Sequence, residues 1–255
     1  MVDEPLISRA KLTNGPARYS CHAGACSEVV VIDVGLYPTL VTVEQGRVAA
    51  RVPPQLLSGR TRVLRPVDAV GVYAHPRPEF ARLERSGALR RVAPGYYAVV
   101  PDDRVGLAWL PELEAVALGV GVAAAGVDGA ALMGLSAARV HGGIPRAVGV
   151  AVVAMAQHRP VSQLTDRDAV VLFVRRNLVG LDLQRHQTEL GEGWVTSIEQ
   201  TVVDLAARPD LGAMPQAVMA AVAALVPRAD PQLLEELVAG HRRGPSVRRL
   251  LAQVR

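Results

Sequence analysis

The sequence predicts an α+β chain. Three observations lead there. Short β-branched runs such as Val29–Val34 and Val148–Met155 interrupt helical stretches without any regular βαβ alternation. Residues 53–101 compress small helices and strands between frequent Pro and Gly punctuation. From Ser197 onward, helix signals take over almost completely. Three segments follow: an N-terminal extension (1–50), a small αβ module (51–104), and a mixed α/β, mainly helical domain (105–255).

Composition narrows the class. Half of the 255 residues are apolar but only 4% are aromatic, so the core is aliphatic and few flat surfaces remain for stacking bases. Two cysteines exclude a disulfide scaffold. Of 28 basic residues, only Lys11 is lysine. The net charge of +4 is unevenly spread. Residues 1–57 hold five basic and five acidic groups, residues 58–104 nine Arg against five acids, and residues 105–255 fourteen of each sign. The whole excess therefore lies in one 47-residue segment, the footprint expected of a small nucleic-acid-binding module.

In the extension, Val29–Val34 and Thr39–Val43 flank Gly35-Leu36-Tyr37-Pro38 and predict a strand–turn–strand unit. Cys21, His22 and Cys26 lie close together, but no second Cys pair completes a four-ligand zinc set, so no metal is expected.

The central module is read in order. Pro53-Pro54 starts a short helix, Gln55–Ser58, and Thr61–Leu64 is a short strand. Pro66–Tyr73 is a second short helix with Pro where a missing N–H costs nothing. After the His75–Pro78 turn, Glu79–Ser86 is helical, ends at Gly87, and turns Phe80 and Leu83 inward. Ala88–Val92 is a strand, Ala93-Pro94-Gly95-Tyr96 a type II turn, and Tyr96–Val100 the returning strand. Helix, strand, helix, helix, strand, turn, strand is the order of a winged helix-turn-helix, whose second helix lies in a major groove. Arg77, Arg82 and Arg85 are then expected to face duplex DNA, with Arg90 and Arg91 at the start of the wing. Arg60, Arg62 and Arg65 near the first strand and Tyr96 of the wing complete the candidate set.

In the third segment, Pro111–Ala125 and Asp128–His141 read as helices rich in small residues. Ala115–Ala138 is long enough to mimic a membrane span, but Asp128 and five glycines favour two soluble helices. With no secretory leader visible either, a cytoplasmic chain is expected. Val148–Met155 and Ala169–Arg175 are β-type runs. Leu183–Leu190 and Trp194–Thr196 flank Gly191-Glu192-Gly193 as a hairpin. Ser197-Ile198-Glu199-Gln200 is a capping box in which Gln200 reaches back to the cap. Met214–Val226 is almost wholly apolar and belongs in a core or at an interface. Asp230-Pro231 caps Gln232–Gly240, and Ser246–Arg255 is the last helix.

Three stretches together resemble the AbiEi-type antitoxins of type IV toxin–antitoxin systems, over roughly residues 60–255. They are Leu83–Tyr97 (LERSGALRRVAPGYY), similar to that family's recognition helix and wing; Gly134–Gly142 (GLSAARVHG); and Val195–Ala206 (VTSIEQTVVDLA). Gln200 stands where the family often has Arg. The resemblance implies a winged helix that represses its own operon and a C-terminal domain responsible for antitoxicity. The implied partners are operator DNA and a nucleotidyltransferase-like toxin encoded next door. A homodimer is expected where winged helices read paired half-sites. The alternatives are a protein-interaction module that docks a partner such as the toxin through the winged helix and the 214–226 helix, and a solitary regulator with no toxin.

Catalysis is not expected. Ser136 and His141 are five apart on one helix, which separates them by roughly 140° at about 100° per residue; Glu199 and Asp204 diverge likewise. No phosphate-binding loop, dinucleotide fingerprint, HExxH or GxSxG is present, so no cofactor is expected.

Overall fold

The computed structural model describes the backbone of residues 19–22, 25–33 and 38–43, and residues 51–144 and 149–254. The chain forms two compact units, 1–49 and 50–255. In the first, β1 (Tyr19–His22), β2 (Ala25–Asp33) and β3 (Pro38–Val43) form an antiparallel sheet in sequence order, so the expected strand–turn–strand pairing is present. The register sets Cys21 opposite Cys26. The side chains of Cys21, His22 and Cys26 lie outside the described residues.

The second unit is α+β and, among the described residues, holds two sheets and seven α-helices. Its first part is small. A 3₁₀ turn at Pro54–Leu56 precedes β4 (Val63–Leu64), and another at Pro66–Ala69 precedes α1 (Pro76–Arg85). The hairpin of β5 (Leu89–Ala93) and β6 (Tyr96–Val99) follows. The spatial order is β4-β6-β5, with both neighbours antiparallel. Gly95 sits at φ +80°, as position i+2 of a type II turn requires. The proline-rich start lengthens α1 backwards by three residues relative to the sequence reading, because Pro fits the first turn of a helix. Phe80 and Leu83 are fully buried, and Phe80 meets Tyr97 edge to face at 5.2 Å. Burial of each contributes about 1.5–3 kcal/mol.

The larger part is a mixed six-stranded sheet. Its strands are β7 (Ala130–Leu132), β8 (Val150–Met155), β9 (Ser162–Gln163), β10 (Val170–Arg175), β11 (Leu183–Thr188) and β12 (Gly191–Thr196), in the order β11-β12-β7-β8-β10-β9. One face carries α2 (Leu113–Ala125). The other carries α3 (Gly134–Val140), α4 (Ile198–Ala207), α5 (Pro215–Leu225), α6 (Pro231–Gly240) and α7 (Gly244–Val254). Strand alternation sorts the core: Ala151 and Val153 join the α2 side, Val152 and Ala154 the helical side. A strand buried on both faces must read as a continuous apolar run, and β8 does.

Several sequence expectations change. Asp128–His141 is not one helix. Ala130-Ala131-Leu132 is a fully buried central strand, and the weak helix preference of two alanines yields to the sheet position. The β11–β12 turn is at Glu189-Leu190, and the glycines first assigned to it lie inside β12. They permit close approach: a Cβ on Gly191 would come 2.1 Å from the Arg60 carbonyl oxygen, and one on Gly193 2.7 Å from Leu118. The Ser197 hydroxyl does cap α4 by accepting from the Gln200 amide at 3.1 Å. The Gln200 side chain does not reach back; it donates to Asp204 at 3.0 Å. Asp230 caps α6 through the amides of Gln232 and Leu233. The last helix starts at Gly244, with Pro245 in its first turn rather than before it. In α5, Val218, Ala221, Val222 and Leu225 are buried in the chain's own core, while Ala220, Ala223 and Ala224 are exposed. Among the described residues, no helix is long and apolar enough to cross a membrane.

The sequence boundary near residue 104 marks a change of sheet but not a break in the core. Val63, Val92, Ala93, Tyr96, Ala98 and Val100 share one cluster with α2 and β8. Backbone bonds stitch the same junction: Arg62 N–H donates to Leu190 O at 2.7 Å, Glu192 N–H to Arg60 O at 3.0 Å, and Thr165 N–H to Val92 O at 3.0 Å. Helix α2 is buried from Leu113 to Val122 and is apolar almost all round, as a helix packed on several sides must be. A Cβ on Gly119 would lie 2.3 Å from Val63, and one on Gly121 2.9 Å from both Ala130 and Val153. Two glycines on opposite sides of the helix thus admit both sheets.

Replacing Gly119 with Ala forces Val63 away and is expected to destabilise by about 1–3 kcal/mol, read as a lower urea midpoint. Gly71→Ala, where the added Cβ meets nothing within 4 Å, is the control and should change stability by less than about 0.5 kcal/mol.

Candidate nucleic-acid interface

The site is built on α1. Its inward stripe, Phe80 and Leu83, fixes its rotation on the small sheet. At about 100° per residue the outward face then centres on Pro78, Ala81, Arg82 and Arg85, with Arg77 at its edge. Ala81, between the arginines, keeps that face low. Sequence reading found the arginines and missed Pro78 and Ala81, which carry no charge signal.

Each predicted contact residue can be placed. Arg62, Arg77, Arg85 and Arg91 are exposed, and their guanidinium groups have no acceptor among the described residues. Arg82 is exposed and holds Glu79 at 2.8 Å, an i,i+3 surface pair that another acceptor can displace cheaply. Arg60 is exposed with Glu192 at 3.5 Å. Arg65 is more committed. Its backbone and side chain both bind Asp68, at 3.0 and 2.6 Å, closing the turn that leads into the second 3₁₀ segment. The Asp68 contact raises the Arg65 pKa further.

Arg90 is half-buried and Tyr96 is buried, so neither stands fully outward. Arg90 donates to the Trp109 carbonyl at 2.7 Å and lies 3.5 Å from the buried Asp166 carboxylate, which Arg167 also holds at 2.9 Å. It ties the hairpin to the larger part of the unit. Tyr96 is buried, and the Arg159 guanidinium stands over its ring at 5.5 Å and over Phe173 at 5.3 Å. The sequence signal was local, a basic pair and an aromatic on a wing. The residues that draw Arg90 and Tyr96 in, Trp109 and Asp166 for the first and Arg159 for the second, are 19 or more positions from their partner.

Beside α1 lies an open groove of about 680 Å³, lined by Val67, Val70, His75, Pro76 and Arg77 and reaching Gly95 at the hairpin tip. Val67 and Val70 are 63% and 66% exposed. His75 precedes α1 without a side-chain cap on its first amides, so the positive end of the helix dipole opens toward this groove.

A second cavity, about 780 Å³, was not anticipated from sequence. Glu112, Glu114, Arg139, Asp168 and His186 line it. Glu114, on the buried face of α2, pairs with Arg139 at 2.8 Å. Burial raises its carboxyl pKa, and the Arg139 charge opposes that rise. Burial lowers the His186 pKa, helped by His141. No group of three His, Cys, Asp or Glu that could hold a metal ion occurs among the described residues. Ser136 and His141 serve separate ends: the Ser136 hydroxyl accepts from Val152 N–H at 2.9 Å, and the His141 ring meets the Thr196 carbonyl at 2.7 Å. Glu199 and Asp204 are apart as well, Glu199 accepting from the Asp230 amide at 2.8 Å.

No protein-family model matches the chain, and no curated protein matches it. Among solved structures, the crystal structure of the Rv2827c protein from Mycobacterium tuberculosis is similar. The TM-score is 0.52 at 19% identity, over 81% of this chain and 79% of that one. At that identity the likeness concerns the fold.

The buried Glu114 makes a pH prediction. A carboxyl whose folded pKa is raised stabilises the fold fully below its ordinary value near 4.5, and this contribution fades as pH rises through the raised value. Glu114→Gln removes that dependence. The stability difference between variant and parent, by urea denaturation, should shift in favour of the variant as pH rises above about 4.5 and then level off.

Proposed function

We propose that this chain is a regulator that binds duplex DNA through a winged helix-turn-helix, with α1 in the major groove and the β5–β6 hairpin as the wing. The observation that carries the reading is the exposed, unpaired arginine set on one small module. Arg77 and Arg85 on α1 and Arg91 on the hairpin lack partners within the described chain, while Arg82 is held only by a surface pair. The strand order β4-β6-β5, with α1 immediately before the hairpin, supports the winged arrangement. Phosphate contacts set affinity and salt dependence, and base contacts from Arg set specificity.

The resemblance to AbiEi-type antitoxins extends the proposal to the promoter of the chain's own operon, to a repressor acting as an antitoxin, and to a neighbouring nucleotidyltransferase-like toxin. Pairing of two copies would match a palindromic operator. One observation favours a second reading, a protein-docking module: Val67 and Val70 are exposed beside α1. A thymine methyl is an equally apolar partner for a valine in a major groove, so the salt dependence separates the two.

Gel-shift titration of the full chain with its own upstream duplex is the direct test. Affinity should fall steeply between 50 and 200 mM salt, by roughly 10³-fold or more if six or more phosphates are contacted. Arg82→Ala or Arg85→Ala should cost about 1–3 kcal/mol of specific binding. Arg90→Ala should instead lower the unfolding midpoint and leave the salt slope unchanged. Unaltered binding after replacing Arg77, Arg82 and Arg85 together would overturn the placement of α1.

A further inference from the structure

On the helical side of the large sheet, where β10, α4 and the α6–α7 turn converge, lies a cavity of about 200 Å³. It is far from neutral. Arg175 and Arg176 follow one another out of β10, Arg208 ends α4, and His241, Arg242 and Arg243 form the turn before α7. One carboxylate, Asp204, stands among them, 3% exposed as a residue and with its side chain fully buried.

The partners of these groups divide unevenly. Asp204 Oδ1 accepts from both Arg176 and Gln200. Its other oxygen, Oδ2, is buried with no hydrogen-bond donor. Arg243 donates to the Ala207 carbonyl at 2.8 Å. Its backbone amide donates to His241 Nδ1 at 3.1 Å, which leaves Nε2 of a neutral ring to carry the proton. Arg175, Arg208 and Arg242 are exposed, with no carboxylate or carbonyl acceptor among the described residues. Guanidinium groups that line one small cavity repel one another unless an anion joins them. A buried acceptor without a donor is costly as well.

A single ligand type answers both demands. We propose that this cavity is a binding site for a phosphate group that still carries a proton, either free hydrogen phosphate or the terminal phosphate of a monoester. Its unprotonated oxygens accept from Arg208, Arg242 and the His241 Nε2–H, in the charge-assisted geometry guanidinium groups favour. Its remaining O–H donates to Asp204 Oδ2, and the proton stays on the phosphate. A monoester phosphate has its second pKa near about 6, so keeping that proton at neutral pH is inexpensive. Sulfate, fully ionised, has no O–H to donate and would set a bare oxygen against the carboxylate. A phosphodiester in a nucleic-acid backbone is excluded on the same ground. The size agrees, because about 200 Å³ is below the range of roughly 300–1,000 Å³ typical for larger organic ligands.

Calorimetric titration of the full chain, in a buffer without oxyanions and at fixed ionic strength, tests this with inorganic phosphate, sulfate and adenosine 5′-monophosphate. Phosphate should bind at least roughly tenfold more tightly than sulfate, the worth of one hydrogen bond to a charged group. Tighter binding of the nucleotide identifies a monoester as the natural ligand, and binding of phosphate alone identifies the free ion. Both outcomes support the site. Asp204→Asn should bring phosphate and sulfate to comparable affinity. Should that buried replacement prevent folding, the surface double variant Arg208→Ala, Arg242→Ala decides, with a loss of roughly tenfold or more in phosphate affinity expected. Equal binding of sulfate and phosphate to the parent chain, no phosphate binding, or phosphate binding unaffected in the double variant would each overturn the site. Arg82→Ala and Arg85→Ala should leave phosphate binding unchanged, so failure here is separable from failure of the DNA reading.

Discussion

Everything in residues 50–255 depends on a helix with no solvent face along most of its length. Leu113 to Val122 of α2 is buried, with the large sheet on one side and Val63 of the small sheet on another. Such a helix cannot be amphipathic, and its composition of Leu, Val, Ala and Gly follows from that. The two glycines set how near each sheet comes, and the aliphatic core around them is assembled from both parts of the chain. The low aromatic content follows too. Interlayer gaps closed down to a Gly contact leave little room for rings, and Phe80 is buried in the separate cluster beneath α1.

The same constraint shapes the charged surface. An arginine on the small sheet either points away from α2 and stays exposed, as Arg62 and Arg91 do, or is drawn to the junction, as Arg90 is. The polar groups inside the junction are nearly all paired: Arg90 with Trp109 and Asp166, Thr165 with the Arg91 carbonyl, Glu114 with Arg139. The cavity around Asp204 departs from that pattern, with one oxygen lacking a donor and three guanidinium groups lacking acceptors.

Much of the local structure was legible in the sequence. Prolines at helix starts, Gly87 after α1, Pro94-Gly95 in the hairpin turn, and the caps Ser197 and Asp230 act within a few residues, and short-range signals of that kind survive folding. Ala130–Leu132 was illegible because a central strand takes its identity from neighbours on both sides, β12 and β8, and not from its own alanines. Gly191 and Gly193 read as a turn because sequence shows that a side chain is missing and not what presses against the gap. The exposed arginines of α1 were legible from helical periodicity. The anchoring of Arg90 and the burial of Tyr96 were not, since they depend on Trp109, Arg159 and Asp166 from other elements. The Asp204 cavity was hidden for the same reason: its basic groups come from three separated stretches.

The pairing of Thr61 with Gly191 joins positions about 130 residues apart. On a ribosome working at roughly 5–20 residues per second, the first of these leaves the tunnel on the order of ten seconds before the second exists. Through the first part of that interval Val63 and the inner face of the hairpin have no α2 to rest on, and through all of it no β12. The arginine-bearing half of the molecule is therefore finished last although it is made first, and a nascent or truncated chain would carry those charges without the scaffold that aims them.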